Sequence, residues 1–170
     1  MRIHRFATRA LIVAVGGAGA IWGLGLGGGG AQAVTCNATN GHEVQQIQGT
    51  SGCGARAGVG SNASAQETGG GTAVAVSDRG GNATAINQAP GSSALAGATT
   101  NGTSYSITTG PKALSVAQAR AGGYSVAIGG WGGQAYSGQP GVGCSGGFAA
   151  AVDTTSGKAC LKYGSIDLHN

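Results

Sequence analysis

Residues 71–97 read GTAVAVSDRGGNATAINQAPGSSALAG, and three small-large-small triplets recur within them: Ala73-Val74-Ala75, Ala83-Thr84-Ala85 and Ala94-Leu95-Ala96. The beat continues outward, upstream to Ala63-Ser64-Ala65 and downstream to Ser104-Tyr105-Ser106, Ala113-Leu114-Ser115, Ser125-Val126-Ala127 and Ala135-Tyr136-Ser137. The first members are spaced 10, 10, 11, 10, 9, 12 and 10 residues apart. A glycine usually precedes each triplet by two or three residues, and Val76, Ile86, Ile107, Val116 and Ile128 close five of them. Each unit therefore reads as a turn followed by a short strand, because glycine accepts the positive φ of tight turns and β-branched residues suit extended backbone. The pattern predicts an all-β chain: a β-solenoid or β-roll of about eight ten-residue units stacked ~4.8 Å apart. Two units per coil are preferred, since a ten-residue coil leaves little room for an interior.

Side chains alternate across a strand. Val74 and Val76, Tyr105 and Ile107, and Val126 and Ile128 thus share one face, and the Ala and Ser residues share the other. Burying a Val or Leu contributes about 1.5–3 kcal/mol, so the expectation is large residues inside, Tyr105 and Tyr136 among them. Ala and Ser would then form a flat outer face, open to self-association or to an envelope or extracellular partner.

The ends of the chain supply an address. Residues 1–33 have the layout of a secretory signal peptide: Arg2, Arg5 and Arg9, an apolar stretch from Ala10 to Leu26, and Ala31-Gln32-Ala33 as the cleavage site. Cleavage there leaves no membrane span and a secreted or cell-envelope protein. Three of the nine basic residues lie in this leader. The remaining six against five acids form no basic cluster, so a nucleic-acid partner is not expected.

Four cysteines flank the repeat: Cys36 and Cys53 before it, Cys144 and Cys160 after it. An even count in an exported chain implies two disulfides. Three pairings are possible; the favoured one joins Cys36 to Cys53 and Cys144 to Cys160, because it closes two similar local loops. The domain reading is then a 34–57 N-terminal disulfide cap, a 58–138 solenoid and a 139–170 C-terminal disulfide cap.

Signals for chemistry are weak. Gly129 to Ser137 nearly fits a calcium-binding nonapeptide, but Gln134 stands where an aspartate ligand belongs. The cysteines lack zinc spacing, and His42 and His169 lie near opposite ends of the exported chain. His42-Glu43 is the only adjacent acid/base pair. The expectation is no metal, no cofactor and no catalytic residues. Tyr124 and Trp131, at turns, are the candidate binding residues, because exposed aromatic rings stack on sugars or partner surfaces.

The Ser125-Val126-Ala127-Ile128-Gly129 stretch and GGNATAINQAPGSSALAG resemble the β-roll heads of trimeric autotransporter adhesins, over roughly residues 58–138. That resemblance implies a roll with its apolar pair inward and an adhesive role. The whole layout of leader, paired cysteines and Gly/Ala-rich middle is also similar to exported actinobacterial proteins of a family of unknown function, which implies location and no activity. The sequence as a whole points to an exported, non-catalytic structural or adhesive protein of the envelope or extracellular space. The alternative is a carbohydrate-binding or envelope-modifying protein using Tyr124 and Trp131.

Overall fold

The structure, a computed structural model, describes residues 31–170. Nearly all of the leader reading lies outside the described residues. The described residues are all β: β1 (Val34–Thr39), β2 (Glu43–Gln48), β3 (Ser51–Ala57), β4 (Asn62–Glu67), β5 (Thr72–Asp78), β6 (Asn82–Asn87), β7 (Ser93–Thr99), β8 (Thr103–Thr108), β9 (Leu114–Ala119), β10 (Tyr124–Gly130), β11 (Gln134–Gly138), β12 (Gly141–Ser145), β13 (Phe148–Asp153), β14 (Lys158–Tyr163) and β15 (Ile166–His169).

Successive strands alternate between two sheets. The eight-stranded sheet runs β1-β4-β6-β8-β10-β13-β14-β15, and the seven-stranded sheet runs β12-β11-β9-β7-β5-β3-β2. From β3 to β11 every neighbour within a sheet is parallel, one coil on the next, so two ten-residue units make each coil. At both ends the direction reverses. β1 and β2 pair antiparallel with β4 and β3, while β12 and β13 pair antiparallel with β11 and β10. The parallel stack is thereby closed by hairpin-type strands in place of open parallel edges.

The two disulfides form as favoured from the loop lengths, Cys36 to Cys53 and Cys144 to Cys160. Each crosses from one sheet to the other, β1 to β3 and β12 to β14. Their Cα atoms are 5.8 and 5.9 Å apart, which measures the gap between the sheets at both ends. Sheets with full-sized interior side chains pack ~10 Å apart.

That narrow gap reverses the expected orientation of the strands. Ala and Ser fill the interior: Ala63, Ala65, Ala73, Ala75, Ala83, Ala85, Ser104, Ser106, Ala117, Ser125, Ala127 and Ala135 are all buried. The larger residues face out, with Tyr105, Val76 and Leu114 exposed and Tyr136 half-buried. Neither Tyr105 nor Tyr136 is core, and the Ala/Ser columns cannot be the surface that meets a partner.

The corners explain the gap. At one edge of the roll the chain turns in two residues, both at positive φ: Arg79-Gly80 (50° and 79°) and Ala121-Gly122 (54° and 73°). The turns close through Gly81 N–H to Asp78 O and Gly123 N–H to Arg120 O, each 3.0 Å. A two-residue turn of this I′ type joins strands at hairpin distance, so only methyl and hydroxymethyl groups fit between the sheets beside it.

The opposite edge has longer corners lined by a buried polar column, Glu67, Asn87 and Thr108, stacked in register on successive coils. The Glu67 carboxylate accepts from Gly69 N–H at 2.5 Å, Gly70 N–H at 2.7 Å, Gly71 N–H at 3.2 Å and Asn87 Nδ2 at 2.8 Å. Asn87 Oδ1 in turn accepts from Thr108 and from Ser92. A buried carboxylate holding four N–H donors has its desolvation offset by charge-assisted bonds, so this column organises the wide corners.

Farther along the stack, serine pairs knit the sheets across the interior: the Ser106 and Ser115 hydroxyls meet at 2.7 Å, and Ser125 Oγ donates to Ser137 Oγ at 2.6 Å. Alanines surround the first disulfide at the N-terminal end, Ser104, Ser106, Ser115, Ser125 and Ser137 bring hydroxyls into the following coils, and Ala149 and Ala151 close the C-terminal end.

Candidate functional site

With the interior filled by small residues, the outer faces are the surfaces that the described residues leave open to solvent. On the eight-stranded sheet the outward residues align in rows across the coils. One row runs Thr39, Asn62, Asn82, Thr103, Tyr124, and the next Asn37, Ser64, Thr84, Tyr105, Val126. All of these but Val126 line a shallow open groove of about 570 Å³ crossing five strands. Asn62 Nδ2 donates to Asn82 Oδ1 at 3.0 Å, and Ser64 Oγ donates to Asn37 Oδ1 at 2.8 Å. These contacts between neighbouring strands hold the amides in a defined ladder while leaving them at the surface. Tyr105, 41% exposed, and Tyr124, 57% exposed, close one end of the groove.

The lining carries amides, hydroxyls and two phenol rings, and no charged side chain. Such a surface exchanges neutral hydrogen bonds and stacks on flat apolar faces.

The two candidate residues read from the sequence are not brought together. Tyr124 begins β10 and Trp131 follows its end, so the strand's seven residues, roughly 20 Å, separate them. Tyr124 belongs to the groove; its backbone N–H donates to Thr154 Oγ1 at 2.8 Å, which ties the start of β10 to the strand pair beyond it. Trp131 stands at a corner, 66% exposed, at φ 48°. Its corner is the exception along its edge. Gly129 takes the place in register that Glu67, Asn87 and Thr108 occupy on the other coils, and the turn tightens to two residues, Trp131 and Gly132. A side chain added at Gly133 would lie 1.7 Å from Phe148 O, so the backbone there runs too close for anything but glycine. A bulky residue at positive φ costs free energy that most sequences avoid, and here it projects an indole to solvent.

The remaining candidates resolve as surface or capping groups. His42 and Glu43 are exposed at the first hairpin, where Glu43 Oε1 accepts from Gln45 Nε2 at 2.5 Å. Arg79 and Asp78 approach to 3.6 Å on an exposed turn. On β14 and β15, the Lys162 ammonium donates to Asp167 Oδ2 at 3.0 Å and holds that carboxyl below the usual carboxylate range, with His169 adding to the effect from 2.5 Å. Gln134, in the near-match to the calcium nonapeptide, is exposed at the start of β11.

Reasoning from the sequence missed Tyr105 and the amide ladder. The signal was there in the 20-residue recurrence of Asn62 and Asn82, each opening an Asn-Ala-Ser/Thr-Ala stretch, which is the length of one coil.

Comparison with known proteins places the chain in a family and goes no further. The sequence pattern of a family of unknown function, DUF6764, matches residues 2–163. No curated protein and no solved structure matches the chain. The protein belongs to that family of unknown function.

Proposed function

We propose that this family member is an exported, non-catalytic interaction protein of the cell envelope or extracellular space, which grips its partner with the outer face of the eight-stranded sheet. The observation that carries this reading is the uncharged groove in which Thr39, Asn62, Asn82 and Thr103 stand in register beside Tyr105 and Tyr124. Export is supported by the leader-like residues 1–33 and by two disulfides, which persist in oxidising compartments. A rigid stacked roll suits a module that presents a fixed surface.

A second reading, carbohydrate binding, is favoured by the same groove. Neutral amides and hydroxyls match the hydroxyls of a sugar chain, tyrosine rings match the apolar faces of pyranose rings, and the groove runs along the stack as an extended polymer would. In this reading the binding residues are Tyr124 and Tyr105, with Trp131 outside the site.

Binding of the purified protein to isolated envelope material and to a panel of polysaccharides tests both. Tyr124→Ala is expected to weaken binding about 10-fold, equivalent to ~1.4 kcal/mol, and the double variant Tyr105→Ala/Tyr124→Ala to abolish it; Trp131→Ala leaves it unchanged. Loss of binding after periodate treatment of the envelope assigns the partner to carbohydrate, and loss after protease assigns it to protein. Undiminished binding by the double variant would remove the groove from the account.

A further inference from the structure

The same outer face changes character along the stack. Strands β1 and β4 are polar on this face; on β6 and β8 the polar Asn82 and Thr103 give way along the strand to Ile86 and Ile107, and from β10 to β15 the face is apolar. One aligned row runs Ile86, Ile107, Ile128, Ala150, Leu161, Leu168. Beside it lie Tyr105, Val126 and Val152, and on the other flank Phe148, Tyr163 and Ile166. Val152, Tyr163, Ile166 and Leu168 are exposed, and Phe148 meets Tyr163 edge to face at 6.2 Å. None of the residues in these rows is charged. The ionic groups of the last two strands, Lys162, Asp167 and His169, alternate with the apolar ones and so point to the opposite side of the sheet.

Six strands ~4.8 Å apart, with rows reaching across ~20 Å of strand length, make a nearly flat apolar area of roughly 500 Å² in projection. That is in the upper part of the ~300–600 Å² range of the largest apolar patch on a typical monomer, a size at which such patches are often interaction sites. Two such faces brought together bury about 1,000 Å², the lower bound for a specific interface.

We propose that the protein is a homodimer in which the apolar halves of two eight-stranded sheets pack face to face, the second copy covering Ile107, Ile128, Val152, Leu161 and Leu168. The occupant is a second copy because the face is flat, uncharged and regular. An identical flat face, turned by a two-fold axis, meets it without leaving an unpaired charge on either side. The arrangement leaves the polar half of each sheet, with Asn62 and Asn82, outside the interface, so a dimer presents two grooves and binds a repetitive partner with avidity.

Sedimentation equilibrium and light scattering on the protein as the cell produces it give the test. The expected mass is twice that of the chain at micromolar concentration. Ile128→Lys and, separately, Leu168→Lys are expected to raise the dimer dissociation constant at least 30-fold. Val76→Lys, on the outer face of the other sheet, leaves it unchanged. Leu168 lies on the exposed last strand, so its replacement keeps the test valid if Ile128→Lys fails to fold. A monomer at hundreds of micromolar, or a dimer indifferent to both lysines, overturns the proposal. So does a monomeric protein that partitions onto phospholipid vesicles through this face, which would make a lipid surface the occupant. Binding at the groove is measured separately through Tyr124→Ala, so either reading can fail alone.

Discussion

Replacing Ala85 by leucine is expected to destabilise the protein by about 3 kcal/mol, the upper part of the range for overpacking a close-packed interior. Ala85 is fully buried, with Ala65 and Ser106 directly above and below it in the stack. The facing sheet offers only further small residues, among them Ala75 and Ala96, so it has no long side chain that can move aside. The sheets are held near 6 Å apart at the two disulfides, and three added carbons must either spread them or break the parallel hydrogen-bond ladder. The adjacent residue behaves oppositely. Ile86→Ala removes a half-exposed side chain from the outer face and is expected to cost under about 1.5 kcal/mol, since only part of an isoleucine's burial is lost. Urea unfolding of the two variants beside the parent measures both; equal losses, or a greater loss at Ile86, would contradict the packing described here.

Removing both disulfides is expected to cost about 6 kcal/mol, from roughly 3 kcal/mol for each loop of this length in the chain-entropy account. The loops span 17 and 16 residues. Each bridge joins the two sheets where the parallel stack ends and antiparallel strands take over, so each holds a cap strand, β1 or β14, against a strand of the opposite sheet. The alanine interior supplies little of the apolar burial that stabilises an ordinary domain, which makes these two covalent links a large share of the total. Thermal unfolding followed by circular dichroism, with and without reductant, checks this. The quadruple variant replacing Cys36, Cys53, Cys144 and Cys160 by serine is expected to be unfolded or nearly so at 37 °C, and a loss below 1 kcal/mol would show that the caps hold without them.

The repeat itself was legible because glycine and small-large-small triplets recur at a near-constant interval; the two-unit coil is preferred because a ten-residue coil leaves little interior room, and the local disulfide pairing because it closes two similar loops. Which face points inward was not legible from alternation, because exchanging the two faces leaves the pattern of a strand unchanged. Hydrophobic burial alone favoured Val and Ile inside. The deciding quantity was the distance between the sheets, and that is set at the corners: Arg79-Gly80 and Ala121-Gly122 are hairpin turns, too short to span a full-width core. The polar column at the other edge was visible as Glu67, Asn87 and Thr108, spaced 20 and 21 residues apart, once the coil length was known. Tyr105 followed its strand's orientation, so the reading that made it core also hid it from the groove. Trp131 stands out as a large residue in a glycine corner at positive φ; Tyr124 and Trp131 read as turn residues on either side of the Ser125–Ile128 strand, and the length of that strand keeps them out of one site.

Thiol accessibility tests the inverted interior most directly. Ser77→Cys and Val76→Cys place a single free thiol on the two faces of β5, one residue apart and outside the proposed dimer face, with the native disulfides left intact. The account predicts that the thiol at position 76 reacts readily with a maleimide, while the thiol at 77 is protected until the protein unfolds. Rapid labelling at 77 with protection at 76 would mean that the large residues form the core, and would contradict the account.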